Sequence, residues 1–545
     1  MDGTPSTRSQ EDSEEDESKA SREEEESPES ESEASERQED QHILHDFEEV
    51  ETSGLNAIRS GEYRFLPVFG FNESNIAARK YVEQKGFEDE DTIINQRDDE
   101  PLMIGGKDLT WWEDSSIMPK HPYMLVNPLG FASVDPDVHN FRDVFRVTKG
   151  DQFVFSDSGG YQLMSMTGKD GKTEAKIVDS RDEHNFKDYR VYPERLMEWQ
   201  TKNADAGATI DFPPYNISGD SSFPDAVKHT SEWRDFYGMR RDKSADMTYR
   251  MASRLNEMRE DGDTHAQDFI FAPVIHGKPN PDDHTHNYVA GWHEAMKEKA
   301  EMAGVTPRGW VLKPEPAKNY GQIAMYLAYA QEHLQDAEFI HVLMVGGLLQ
   351  KTLLMYYAMN SDHFVTSDSS SYAAGGKRRQ FKLPKTATRR SVIISSRDDD
   401  DEKAAMNPTR LDRYPCRCMV CSTVEEDIGY EFGTEGSGSA RSVPLNLHNL
   451  QQELNVERTL DALLREEDTT IVETGGEPTG SEFWRYIRTM AQDKSVQDLY
   501  RAMDYVRIAQ EEGLDAANDT YRIRWERESG VSIDRGSGSA ADAGW

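Results

Sequence analysis

The sequence predicts an α/β protein, a (β/α)8 barrel with a zinc-binding insertion and a C-terminal helical region. Three observations lead there. From Tyr63 to Asp368 short β-prone runs alternate with longer helical stretches. All three cysteines fall within Cys416–Cys421, and beyond them the apolar pattern turns helical. The expected organisation is an acidic disordered tail over 1–52, the barrel over 53–415, a zinc-binding subdomain over 416–448, a helical region over 449–530 and a flexible tail over 531–545.

Residues 1–40 hold seventeen Asp/Glu against four Lys/Arg and almost nothing apolar, so they cannot bury enough surface to order themselves. The whole chain carries a net charge of −40, and acid is spread well beyond this tail. Such a surface suits a salt-rich cytoplasm, where ions screen its self-repulsion. No run of about 18 apolar residues appears, so no membrane span is expected. Nothing at the N-terminus resembles a secretory signal, which favours a reducing, cytoplasmic setting.

Eight strands are expected at Arg64–Gly70, Tyr123–Asn127, Gln152–Ser156, Gly207–Asp211, Phe269–Ile275, Gly309–Lys313, Phe339–Val345 and His363–Ser367. Helical segments between them, such as Pro193–Asn203, Asp246–Glu260, His286–Ala303, Tyr320–Glu332 and Leu348–Met359, are long enough for crossovers between parallel strands. Helices are also expected at Leu447–Leu464, Gly480–Asp493 and Ser495–Glu512.

A barrel of this kind places its chemistry at the C-terminal strand ends. The third run ends in Ser156-Asp157-Ser158-Gly159-Gly160-Tyr161, the fourth in Asp211-Phe212-Pro213-Pro214, and the eighth in Ser367-Asp368-Ser369. An isolated Asp-Ser at a strand end is more often a helix cap. Three carboxylates around one cavity are a different matter. One carboxylate can attack an anomeric carbon while another handles the proton of the leaving or entering base, which is what glycosidic displacement requires.

Cys416-Arg417-Cys418-Met419-Val420-Cys421 brings three thiolates into one tight turn, and His448 follows 27 residues later as a fourth tetrahedral ligand. Four protein ligands leave no position for water, so a zinc here is expected to be structural. One- and two-residue spacings make strained disulfides, and three cysteines leave one over. Residues 377–397 contain Lys377, Arg378, Arg379, Lys382, Lys385, Arg389, Arg390 and Arg397 and no acid. In so acidic a chain, that stretch is expected to meet a phosphate backbone.

Taken together the motifs resemble the tRNA-guanine transglycosylases, zinc-containing (β/α)8 enzymes that exchange a guanine in nucleic acid for a 7-deazaguanine. FSDSGGYQ (155–162) resembles their Asp-Ser-Gly-Gly-Phe-Gln signature, and IDFPPY (210–215) their Asp-bearing base-recognition strand. VIHG (274–277) resembles Val-Gln-Gly, HVLMVGG (341–347) Leu-Met-Gly-Val-Gly, and DSSSY (368–372) the archaeal Asp-Ser-Ala-Ser-Tyr. The cysteine cluster with its distant His-Asn completes a set that runs in family order over most of residues 60–450.

The resemblance implies that Asp368 is the nucleophile, forming a covalent glycosyl-enzyme, and that Asp157 is the general acid/base. It implies that Asp211 reads the pyrimidine edge of the base beside Ser158 and the Gly160 backbone, with Tyr161 and Met344 sandwiching the ring. His276 stands where the family has a base-binding Gln. Gly309 is the retained glycine of a Gly-Gly-Leu-Ala-Val-Gly-Glu segment in which Pro314 replaces the glutamate. Loss of that carboxylate tilts the expected substrate toward the neutral 7-cyano-7-deazaguanine.

No RNA-binding extension follows the cysteine cluster, so DNA is favoured over tRNA as partner, and a homodimer is left open. The alternatives are a tRNA-guanine transglycosylase of the archaeosine or queuosine pathway, a non-catalytic paralogue subunit, or an unrelated barrel glycosidase acting on nucleosides. A paralogue would be expected to have lost Asp368 or Asp157, and a nucleosidase leaves the basic stretch and the cysteines without a role.

Overall fold

The computed structural model describes most of residues 60–69, 103–129, 141–159, 176–214, 231–277, 288–314, 320–369, 380–393, 409–422, 438–466 and 471–528. The expected tails over 1–52 and 531–545 lie outside the described residues. Its centre is a nine-stranded, all-parallel sheet. The strands are β1 (Tyr63–Phe69), β2 (Tyr123–Val126), β3 (Phe153–Ser156), β4 (Ala206–Ala208), β5 (Ile270–Ala272), β6 (Val274–Ile275), β7 (Gly309–Leu312), β8 (Phe339–Val342) and β9 (Phe364–Ser369).

The spatial order is β6-β7-β8-β9-β1-β2-β3-β4-β5. The two outermost strands are therefore neighbours in the chain, parted only by Pro273, and the sheet is barrel-like and nearly closed. Each of the eight expected runs overlaps a strand, although β1 and β4 begin one residue before theirs. The run Phe269–Ile275 appears as two because Pro273 has no N–H to give the ladder, although its carbonyl still accepts from the Val311 N–H at 3.0 Å.

Alternation along the strands sorts the two faces. Tyr123, Leu125, Phe153, Phe155, Phe339 and Phe364 join Ala206, Ala208 and Ala272 in a cluster made of strand residues alone, which is the barrel interior. Met124, Val126 and Val154 join the larger cluster shared with the helices. Large rings facing small residues fill the interior: Phe339 packs on Phe153 and Phe155 with centroids 5.7 and 5.5 Å apart. Gly309 belongs to this filling, since a Cβ there would meet Ile270 Cγ2 and Phe339 Cδ1 at 2.9 Å.

Outside the sheet lie α1 (Pro193–Asn203), α2 (Ser231–Glu260), α3 (Tyr288–Met302), α4 (Tyr320–His333) and α5 (Leu348–Met359). Beyond the cysteines come α6 (Gly438–Glu466), α7 (Glu482–Met490), α8 (Asp493–Glu512) and α9 (Leu514–Glu528). Every residue of α4 from Gln322 to Ala330 is buried. An all-round buried helix needs cover on its outer face, and α8 and α9 provide it. The C-terminal helices thus share the barrel's core, tied down also by Gln510 Nε2 donating to the carbonyls of Tyr357 (3.3 Å) and Asn360 (3.1 Å). No helix among the described residues is long and apolar enough to cross a membrane.

A small sheet of β10 (Gln380–Lys382), β11 (Arg389–Ile393) and β12 (Thr409–Arg410) follows β9. It corrects one expectation. Lys382 is 4% exposed, and its Nζ donates to Glu453 of α6, so it holds the fold together rather than meeting a phosphate. Lys351 of α5 completes the cluster, donating to Glu453 at 2.5 Å and to Glu457, with its Nζ 3.2 Å from the Phe65 ring centroid. Burial works to raise Glu453, but the two lysines override it and hold the carboxyl down at about 2. Because a buried charge left unpaired is costly, Lys351→Met is expected to lower unfolding free energy by about 3–5 kcal/mol. Urea titration checks this, and a loss below about 1 kcal/mol would mean the cluster contributes little.

Candidate functional site

The C-terminal strand ends converge three carboxylates, as expected, but each acquires partners that spacing along the chain does not announce. At the end of β3, the Asp157 N–H bonds to the Val126 carbonyl at 2.8 Å, and Asn127 Nδ2 donates to Asp157 Oδ2 at 3.0 Å. Gly159 turns the chain at φ 75°, where a Cβ would also strike Leu129 Cδ1 at 2.6 Å. Burial pushes the Asp157 carboxyl up, and the charges of Asp211 and Asp368 add to the push, reaching about 7.

Asp211 follows β4 and is 7% exposed. Ser158 Oγ donates to its Oδ1 at 3.2 Å, and His276 Nε2 lies 2.6 Å from its Oδ2. His276 itself directly follows β6 and packs edge-on to Trp292 with centroids 4.9 Å apart. Ser158, Asp211 and His276 thus form a bonded unit spanning the strands from β3 to β6.

Asp368, in β9, has the opposite environment to Asp157. Met344 donates its backbone N–H to Oδ1 at 2.7 Å, and His341 Nε2 lies 3.3 Å from the same oxygen. Burial alone would raise Asp368, but His341, the Met344 amide and the Lys313 charge override it and hold the carboxyl below its ordinary value. Met344 adopts φ 62°, a left-handed conformation unusual for a side-chain-bearing residue. That geometry aims its N–H at Asp368, and its side chain is left 56% exposed.

Of the residues expected to form the site, Asp157, Ser158, Asp211, His276, Met344 and Asp368 are brought together. Gly160 and Tyr161 lie outside the described residues. Gly309 begins β7, so it sits at the opposite end of its strand and serves packing instead. Two neighbours were not anticipated. Lys313 directly follows β7, and His341 alternates with Phe339 on the interior face of β8, stacked on Phe155 at 4.4 Å. Both could have been found by reading which residues end or line each strand, because a polar group at such a position needs a reason.

The second centre is the cysteine cluster. The donor atoms of Cys416, Cys418, Cys421 and His448 all lie within 4.8 Å of one another and could hold a metal ion. His448 Nδ1 is 3.2 Å from Cys421 Sγ and 3.4 Å from Cys418 Sγ. Tetrahedral thiolate and imidazole donors sit about 3.5–3.8 Å apart, so a slight expansion accommodates an ion. His448 Nε2 is 2.9 Å from the Lys382 carbonyl, which fixes the proton there and leaves the Nδ1 lone pair facing the sulfurs. His448 lies inside α6, so the fourth ligand belongs to a helix that also carries Glu453 and Glu457 onto the barrel.

Of the basic stretch, Lys377, Arg378, Arg379, Lys385 and Arg397 lie outside the described residues, as do the side chains of Arg389 and Arg390 in β11. Compared with protein-family models and with curated proteins, the chain matches none.

Proposed function

We propose that the chain is a base-exchange transglycosylase on a (β/α)8 barrel, replacing guanine in nucleic acid with a 7-deazaguanine. One observation carries the reading: Asp157 and Asp368 share one barrel mouth but hold protons oppositely, Asp157 near 7 and Asp368 below its ordinary value. A retaining displacement needs that division, an ionised nucleophile and a protonated acid. Asp368 attacks the anomeric carbon as Asp157 gives its proton to the departing guanine. Asp157 then takes a proton from the incoming base, whose nitrogen displaces Asp368. Ser158, Asp211 and His276 supply donors and acceptors for the base edge, and the Met344 side chain covers its face.

Asp368 stays ionised across neutral pH, so the fall in rate at higher pH belongs to Asp157. Guanine expulsion is expected to slow as pH rises through about 7, and Asp157→Asn to abolish that dependence. The same shift acts on stability. The folded state holds this proton more tightly than the unfolded state, so its contribution is lost between about 4 and 7 as pH rises. Single-turnover guanine release against pH is the measurement, and a flat profile from about pH 6 to 8 would remove Asp157 from the acid role.

Zinc is the proposed occupant of the Cys3His cluster, in a structural role. DNA is the favoured nucleic acid, and a target guanine must leave its stack to reach the mouth. Radiolabelled 7-cyano-7-deazaguanine offered with duplex DNA, single-stranded DNA and tRNA in high potassium chloride tests the reading. Label in DNA supports it, label in tRNA alone moves the chain to tRNA modification, and no label in any of them rejects base exchange.

A further inference from the structure

Lys313 enters the scheme above only through its charge near Asp368, and it is 6% exposed at the end of β7. On one side β6 leads to His276, the partner of Asp211. On the other, β8 leads to Met344, the partner of Asp368. The Lys313 N–H bonds to the Ile275 carbonyl at 3.0 Å, fixing where the side chain starts, and its Nζ lies 2.7 Å from Met344 Sδ. The ammonium thus lies against Met344, at the end of the strand that runs between those leading to His276 and to Met344. Among the described residues that end the barrel strands, Lys313 alone carries a fixed positive charge.

On the basis of the transglycosylase function, we propose that Lys313 determines which incoming base is accepted, admitting neutral 7-deazaguanines whose 7-substituent accepts a hydrogen bond and rejecting those with a cationic one. A nitrile nitrogen is an acceptor for an ammonium donor. An aminomethyl group is a second ammonium. Two like charges about 6 Å apart in a partly buried site discriminate by on the order of 100-fold.

The experiment supplies the full-length protein and an accepting nucleic acid with labelled 7-cyano- and 7-aminomethyl-7-deazaguanine in competition. The native chain is expected to favour the cyano base by on the order of 100-fold. Lys313→Met should bring the ratio near one, and Lys313→Glu should favour the aminomethyl base. Lys313→Arg keeps the charge and should keep the rejection, which covers the case in which the Met and Glu variants do not fold. Variants that exchange base with the native ratio, or a native chain without preference, overturn the role. A change confined to the pH profile likewise overturns it, leaving Lys313 as a group that only holds Asp368 ionised. Absence of exchange with either base overturns the transglycosylase function itself, and this role with it.

Discussion

Asp368→Asn is expected to lower base exchange by on the order of 10⁴-fold or more, because an amide cannot serve as the nucleophile of a glycosyl-enzyme. The substitution is nearly isosteric. Its Oδ1 can still accept from the Met344 amide, so the left-handed turn at Met344 and the metal content should persist. Two readouts are needed: exchange of labelled base, and a denaturation-resistant adduct between protein and nucleic acid that forms in the native chain and is missing in the variant. Exchange within tenfold of native would show that Asp368 is not the nucleophile. Were Asp157 the nucleophile instead, its Asn variant and not that of Asp368 would lose the adduct.

Removing the proposed metal is expected to cost on the order of 5 kcal/mol of stability and to loosen residues 416–448 before the barrel. The physical reason lies in α6. His448 bonds to the Lys382 carbonyl, Lys382 bonds to Glu453, and Glu453 reaches Lys351 of α5, so a lost ligand weakens the attachment of α6 to the barrel. No hydrogen bond among the described residues links the cysteine cluster to Asp157, Asp211 or Asp368. Activity should therefore fall only as the fold does. Hydrogen exchange and activity measured together on a Cys421→Ser protein decide the matter. A variant that keeps native protection but loses exchange chemistry would place the metal in the reaction.

Much of the barrel was legible because its signals are local. β-prone runs between polar stretches marked every strand of the central sheet but not β10 to β12, and Pro193 and the apolar pattern of Leu348–Met359 marked α1 and α5 at their observed bounds. Other bounds were not legible. α2 begins at Ser231 and α6 at Gly438, well before the expected helices, since their opening stretches are rich in charged or small residues and carry little hydrophobic periodicity. The helix α9 was covered only as part of a helical region, its bounds unmarked. Within the site, Asp157, Asp211 and Asp368 could be picked out because each ends a strand, whereas His341, within an apolar run, shows itself only once the alternation along β8 is read.

The sequence by itself determined which residues end the strands, which four side chains can meet at a metal, and that a basic stretch follows Asp368, because spacing and alternation are properties of the chain alone. Only the tertiary structure decided partners. It paired Asp211 with His276, placed Lys313 against Met344, buried Lys382 on Glu453 instead of exposing it, and turned Gly309 into interior packing. Proton affinities went with those partners: Asp157 and Asp368 are the same residue type at equivalent strand ends, and burial without a cation raises one while a histidine, an amide and a lysine lower the other.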